Sequence, residues 1–205
     1  MKSIAVIGAG SHARSAVNLL KQHFPKDYVF GIYDDSYTLA EEEFIHGIKL
    51  TGKISDIPAG SSVFLSVGDN SRRRRFYEKF GKQIPAENLI HSTACVEKYV
   101  SMGKANQIFA FSYLNSYTCV GDNNIINSGA ILEHEVKVGS HCHISVGSRL
   151  CGRVTIGDEC MIGSGAVVID NISICSKVTV GAGSVVIRNI EEEGTYVGNP
   201  ARKIK

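Results

Sequence analysis

Hydrophobic positions in the C-terminal half of the chain recur every six residues. Counting in sixes from Val96 gives Met102, Ile108, Leu114, Val120, Ile126, Leu132, Val138, Ile144, Leu150, Ile156, Ile162, Val168, Ile174, Val180 and Val186. All sixteen are aliphatic or Met. With 43% of the chain hydrophobic, such a run would arise by chance about once in a million, so the period is structural. The residue two places earlier is mostly small or β-branched, as at Ala94, Val100, Ser112, Thr118, Ala130, Val136, Cys142, Val154 and Cys160. Glycine often follows the beat, at Gly121, Gly139, Gly157, Gly163 and Gly181.

Period six is neither helical nor that of a plain strand, but it divides a polygonal coil into equal sides. Each side is a short strand whose alternate residues point inward, here the large beat residue and the smaller one two before it. Glycine after the beat is expected to ease the turn between sides. Three sides close a coil of eighteen residues, so the run from Val96 to Val186 makes about five coils of a parallel β-helix. Handedness does not follow from the period.

The first eighty residues follow another rhythm. The apolar run Ile4-Ala5-Val6-Ile7 leads into Gly8-Ala9-Gly10-Ser11-His12-Ala13 and a helical stretch from Arg14 to Gln22. This is strand, glycine turn and helix, fitting G-x-G-x-x-G/A with Ala13 in the last place. Gly8 and Gly10 would let the backbone approach a phosphate at the helix N-terminus; tight packing alone is the alternative reason for them. A second strand, Tyr28 to Tyr33, ends at Asp34-Asp35, about where a ribose-binding acid is expected. A third apolar segment, Ser62 to Val67, leads through Gly68-Asp69-Asn70 to a basic helix from about Ser71 to Lys82. Three such units make half of a dinucleotide fold. A dinucleotide oxidoreductase is thereby disfavoured, and a mononucleotide such as that of an activated sugar suits the half-fold better. The expected division is residues 1–85 for this domain and 86–205 for the β-helix with its tail.

Composition narrows the partners. Net charge is +2 with 20% charged residues, which makes no case for nucleic acid or an anionic membrane. The cluster Arg72 to Arg75 is expected to be a solvated helix face. No apolar stretch reaches spanning length, and the run before Gly8 is too short for a secretory signal, so a cytoplasmic protein without membrane insertion is expected. The six cysteines show no C-x-x-C spacing. Cys142 and Cys160 fall on inward positions, where small buried thiols fit better than disulfides or zinc.

The hexapeptide pattern resembles the left-handed β-helix acyltransferase family. The resemblance implies coils wound against the common right-handed rule, a homotrimer, and acyl-coenzyme A in clefts between neighbouring prisms. The whole chain is similar to a narrower family of bacterial sugar O- and N-acyltransferases with a small nucleotide-binding domain before the coil. The match runs through the glycine turn, Gly31 to Asp35, Gly47 to Gly52, Val67-Gly68-Asp69-Asn70 with Arg73, Leu89-Ile90-His91, every hexapeptide, and Val197-Gly198-Asn199-Pro200-Ala201-Arg202. The fold class implied is an α/β Rossmann-like half-domain followed by an all-β left-handed parallel β-helix.

Acyl transfer from a thioester needs a base, an oriented acceptor and a donor for the developing oxyanion. The base candidate is His134, two places past an inward beat and so expected to project from a turn. Imidazole titrates near neutral pH, which suits removal of a proton from an amine or hydroxyl. Glu135 is placed to fix its tautomer. In the resembled N-acetyltransferases the equivalent His-Glu pair carries that role. The same resemblance places Asn127 on the acceptor side, and His12, Asp34, Asp35 and the glycine turn at Gly10 with the sugar nucleotide. It places the second histidine on His143, read here as a coenzyme or substrate contact from an outward strand position. Gly152 falls where the family offers an amide to the acetyl group, a corner glycine being the alternative. Arg202 and Lys203 are candidates for coenzyme A phosphates, against ordinary solvated side chains. His141 and His143 form an H-x-H pair with no third ligand at suitable spacing, so no metal is expected.

The resemblance therefore implies acetyl-CoA-dependent N-acetylation of the 4-amino group of a UDP-linked 2,4,6-trideoxy amino sugar. Sialic acid O-acetylation, GDP-perosamine N-acetylation and a non-catalytic β-helix scaffold are the alternatives.

Overall fold

A computed structural model describes residues 3–24, 28–38 and 42–205. The chain divides into two compact units, Met1–Leu89 and Ile90–Lys205; Met1 and Lys2, which begin the run read as too short for a secretory signal, lie outside the described residues.

In the first unit, β1 (Ser3–Ile7) pairs in parallel with β2 (Val29–Tyr33) on one side and with Ser62–Leu65 on the other. α1 (Ser11–His23) follows β1 and buries Ala13, Ala16, Val17, Leu19 and Leu20, the apolar stripe expected of a helix packed on a sheet. The sheet is wider than the sequence reading allows. The hairpin β3 (Phe44–Ile45) and β4 (Ile48–Gly52) adds an outer edge, with β4 parallel to β2. Numbering Ser62–Leu65 as β5, the order is β3-β4-β2-β1-β5. The helix after β5 is α2 (Asn70–Phe80), capped by Asp69, whose carboxylate accepts the Arg72 amide at 2.7 Å.

One expectation fails here. Arg73 is not on a solvated face: it is fully buried. Its guanidinium donates to the carbonyls of Val67 (3.3 Å) and Gly68 (3.1 Å) and to Asn70 Oδ1 (2.9 Å). A buried charge needs such partners, and in return it fixes the loop between β5 and α2.

The second unit is a parallel β-helix of two-residue strands. Each strand pairs with the one eighteen residues on, as Leu114 with Leu132 and Val120 with Val138. One face runs from Cys95–Val96 to Val185–Val186 and a second from Ser101–Met102 to Ser173–Ile174. The third passes through Gln107–Ile108, Ile125–Ile126, His143–Ile144 and Met161–Ile162 to Val178–Val180. The beat residues from Ile108 to Val186 are at most 5% exposed, as the inward assignment requires. This third face continues into Gly194–Val197, and Arg202–Lys203 returns antiparallel beside it.

The glycines after the beats have a different cause from the one expected. They do not adopt left-handed backbone; that conformation falls three places after each beat from Val96 to Val180, at Tyr117 (φ 63°), Glu135 (61°), His141 (63°), Gly147 (65°) and Arg153 (60°) among others. A side chain at the glycines would strike the next coil instead. A β-carbon at Gly163 would lie 2.6 Å from the Ala182 nitrogen and the Val180 oxygen.

The interior is also not wholly apolar. Asn106 and Asn124 are fully buried. Asn106 Oδ1 accepts the Asn124 amide (2.8 Å), Asn124 Oδ1 accepts the Cys142 amide (2.7 Å), and their Nδ2 groups donate to the Gly121 and Gly139 carbonyls. Cys142 and Cys160 continue this column as buried thiols outside any disulfide, donating to the carbonyls of Gly157 (3.0 Å) and Cys175 (3.1 Å).

Candidate active site

His134 occupies the second place of the turn between Ile131–Leu132 and Lys137–Val138. Leu132 must point inward, so the turn carries His134 outward, and its side chain is 48% exposed. Glu135, in left-handed backbone, brings Oε2 to 3.2 Å from His134 Nδ1. Because a carboxylate only accepts, this contact places the imidazole proton on Nδ1 and leaves Nε2 as the basic atom. The same Oε2 accepts from Arg153 Nε at 3.2 Å. The hydrogen bond from His134, followed by the charge and hydrogen bond of Arg153, holds the Glu135 carboxyl below its ordinary value of 4.5.

One coil further on, Gly152 lies under the imidazole. A β-carbon there would come within 2.7 Å of both Cε1 and Nε2. Among the described residues, the Gly152 amide donates to no other group, while its carbonyl accepts from Asn171 (3.0 Å). A basic nitrogen, able to take a proton from an incoming nucleophile, and a free backbone donor, able to hold a tetrahedral oxyanion, thus stand side by side.

Asn127 and His143 meet on another side of the prism. Asn127 Oδ1 accepts the Ser128 amide at 2.8 Å, which orients its Nδ2 to donate to His143 Nε2 at 3.1 Å. His143 does alternate outward from Ile144, yet it is only 9% exposed, and its outward neighbours Gln107 and Ile125 are buried too. This face is therefore not the open surface that strand alternation implies. His141 turns instead to Asn123 Nδ2 (2.9 Å), so the H-x-H pair does not converge. Arg202 lies apart from both groups on the returning strand, exposed, with Nη1 donating to the Ala201 carbonyl (2.9 Å). Lys203 is held by Glu192 at 2.9 Å.

In the first unit the two glycines have different reasons. Gly8 is in left-handed backbone (φ 107°), and a β-carbon would lie 3.0 Å from Val67 Cγ2. Gly10 caps α1 with no side-chain partner, and the space beside it is open. His12, in the first turn of α1, packs against Gly68. Asp34 uses both carboxylate oxygens on the backbone, accepting from Ala9 (2.9 Å) and Ser36 (2.9 Å). Burial opposes its charged form, but the amides of Ser36 and Ala9 outweigh that and hold its pKa below the ordinary 3.8. Asp35 is exposed and accepts the Ile54 amide at 3.3 Å.

Arg153 is the site residue that sequence reasoning missed. The coil length carried the signal: 153 is 135 plus eighteen, one coil on in the same corner.

The PglD N-terminal domain family matches residues 3–80. No curated protein matches in sequence. Among solved structures, PerB from Caulobacter crescentus, in complex with CoA and GDP-perosamine, is 28% identical, with 100% of this chain and 98% of that one covered at a TM-score of 0.90. The acetyltransferase domain of PglB from Neisseria gonorrhoeae is 27% identical over 100% of both chains at a TM-score of 0.89. Its complex with acetyl coenzyme A is 28% identical over 99% of each at 0.87. The half-fold and the stacked coils agree with these matches: residues 3–80 carry a PglD-type N-terminal domain, and over its full length the chain is similar to left-handed β-helix sugar N-acetyltransferases such as PerB and PglB.

Proposed function

We propose that this protein is an acetyl-CoA-dependent N-acetyltransferase acting on the 4-amino group of a UDP-linked 2,4,6-trideoxy amino sugar, working as a cytoplasmic homotrimer. The observation that carries the chemistry is the half-exposed imidazole, held at Nδ1 by Glu135 and seated over the free Gly152 amide. The N-terminal unit supplies nucleotide binding through the open turn at Gly10, His12 and the Asp34-Asp35 strand end. In the reaction the amine nitrogen attacks the thioester carbonyl, and its proton passes to His134 Nε2. The oxyanion takes the Gly152 N–H. The C–S bond then breaks, and the proton goes on to the departing thiolate, giving amide and free coenzyme A. The thioester is already activated, so no acyl-enzyme is needed.

The division of the site supports the homotrimer. His134 and the Asn127–His143 pair belong to different sides of one prism, so a neighbouring copy is the means of bringing them to one substrate. Arg202, exposed on the returning strand, is assigned to coenzyme phosphate.

A second reading, GDP-perosamine as the acceptor, is favoured by the GDP-perosamine bound in the PerB structure. Thiol release from acetyl-CoA, measured against a panel of UDP-, GDP- and CMP-linked amino and hydroxyl sugars, separates the two. Turnover with the UDP-4-amino sugar is the expected result. Preference for GDP-perosamine replaces the nucleotide assignment, and no release with any sugar removes the transferase reading.

A further inference from the structure

We infer that Arg153 is a positioning residue for the base: it fixes the carboxylate that orients His134 and offsets that carboxylate's charge. Arg153 Nε and His134 Nδ1 both meet the same oxygen, Glu135 Oε2, at 3.2 Å. The backbone joins them as well, since the Arg153 amide donates to the His134 carbonyl at 3.0 Å. Glu135 and Arg153 both stand in left-handed backbone, with φ of 61° and 60°, so successive corners aim their side chains the same way.

A carboxylate alone beside an imidazole favours imidazolium and would take the base out of use in mildly acidic solution. A guanidinium on the same oxygen opposes that effect and remains charged throughout the working range. Other titratable groups share the coils around His134. Its own coil carries Glu133, engaged by Asn115 Nδ2 at 2.8 Å. The preceding coil brings Tyr117, and the following coil Cys151, which burial, then Asp170 and Glu133, push above its ordinary value. Lys137 on the coil of His134 and Arg149 on the following one are further cations, but Arg153 is the one that forms an ion pair with Glu135.

This inference rests on His134 being the base. The test is kcat/KM against pH for the wild-type protein, Arg153→Met, Arg153→Lys and His134→Ala with one amino-sugar substrate, whose own titration is common to all. Arg153→Met is expected to move the acidic limb to higher pH, losing about three- to tenfold near pH 6.5 while staying within about twofold near pH 9. Arg153→Lys should recover most of the loss. An unmoved limb in Arg153→Met overturns the inference, whether the plateau is kept or falls, since a fallen plateau alone marks direct substrate contact. If His134→Ala keeps wild-type turnover, the base assignment itself fails, whatever Arg153 does. Thermal unfolding of each variant confirms that this 57% exposed side chain is not needed for folding.

Discussion

Gly152 gives the His134 ring its seat: a β-carbon at 152 would lie 2.7 Å from both Cε1 and Nε2. The atoms it would meet belong to a half-exposed side chain that can swing away. Gly152→Ala should therefore fold with a melting temperature within about 3 °C of wild type. Displacing the base and crowding the oxyanion donor should lower kcat by roughly ten- to a hundredfold. Wild-type kcat in a folded Gly152→Ala protein would show that the ring's position over residue 152 is irrelevant to catalysis.

His134→Ala should cost at least about a hundredfold in turnover with the assembly intact by size-exclusion chromatography. Glu135→Gln keeps an acceptor for Nδ1 but removes the charge, so a smaller loss of about tenfold is expected. Equal losses in the two would mean that charge, not orientation, is what Glu135 supplies.

The coil glycines separate two kinds of constraint. Gly163→Ala places a β-carbon 2.6 Å from backbone atoms of the next coil, which cannot move without breaking the ladder. Gly147→Ala meets nothing within 4 Å and changes only a left-handed residue (φ 65°), a conformation that Glu135 and Arg153 already hold. Denaturant midpoints should show Gly163→Ala losing several-fold more stability than Gly147→Ala, whose cost is about 1 kcal/mol. Similar midpoints would reverse the assignment.

Asn124→Ala would leave the Cys142 amide and the Gly139 carbonyl without their partners inside the prism. About 1–3 kcal/mol per orphaned group is expected. A loss under about 1 kcal/mol in equilibrium unfolding would mean that water or a rearranged coil takes the place of the amide.

Asp34 ties the glycine turn to the end of β2, and its depressed pKa sets the sign of an acid effect. The unfolded state binds the proton more readily, so Asp34 stabilises fully above 3.8 and that contribution is lost as pH falls through its lower folded value. With partial exposure discounted, about 1–2 kcal/mol is at stake. Melting of Asp34→Ala should differ from wild type at neutral pH and approach it in strong acid. A gap that is constant across pH would show that the charge of Asp34 is not involved.

The coil was legible because burial repeats with the sequence: a six-residue beat leaves Leu132 and Ile144 no place but inside. The outward projection of His134 follows from the same count, and the Nδ1 contact from Glu135 being next to it. What escaped depended on neighbours eighteen residues away or on local chemistry that periodicity does not encode. Asn106 and Asn124 break the apolar pattern because each coil offers the next a backbone amide and a carbonyl. Arg73 looks like part of a charged run until the carbonyls of Val67 and Gly68 are seen to surround its guanidinium. The β3–β4 hairpin was hidden by its shortness and by an exposed Phe44. Arg153 needed the coil period applied to polar residues as well as apolar ones.

A column of equivalent turns has no natural last member, because each new rung presents the same unsatisfied amides and carbonyls to whatever comes next. On the third face, Arg202–Lys203 runs in the opposite direction beside Gly194–Val197. A reversed border does not continue the parallel ladder, and the exposed charge of Arg202 on it disfavours pairing with a further edge. The same few residues that carry Arg202 thereby keep this side of the molecule from growing into a fibre.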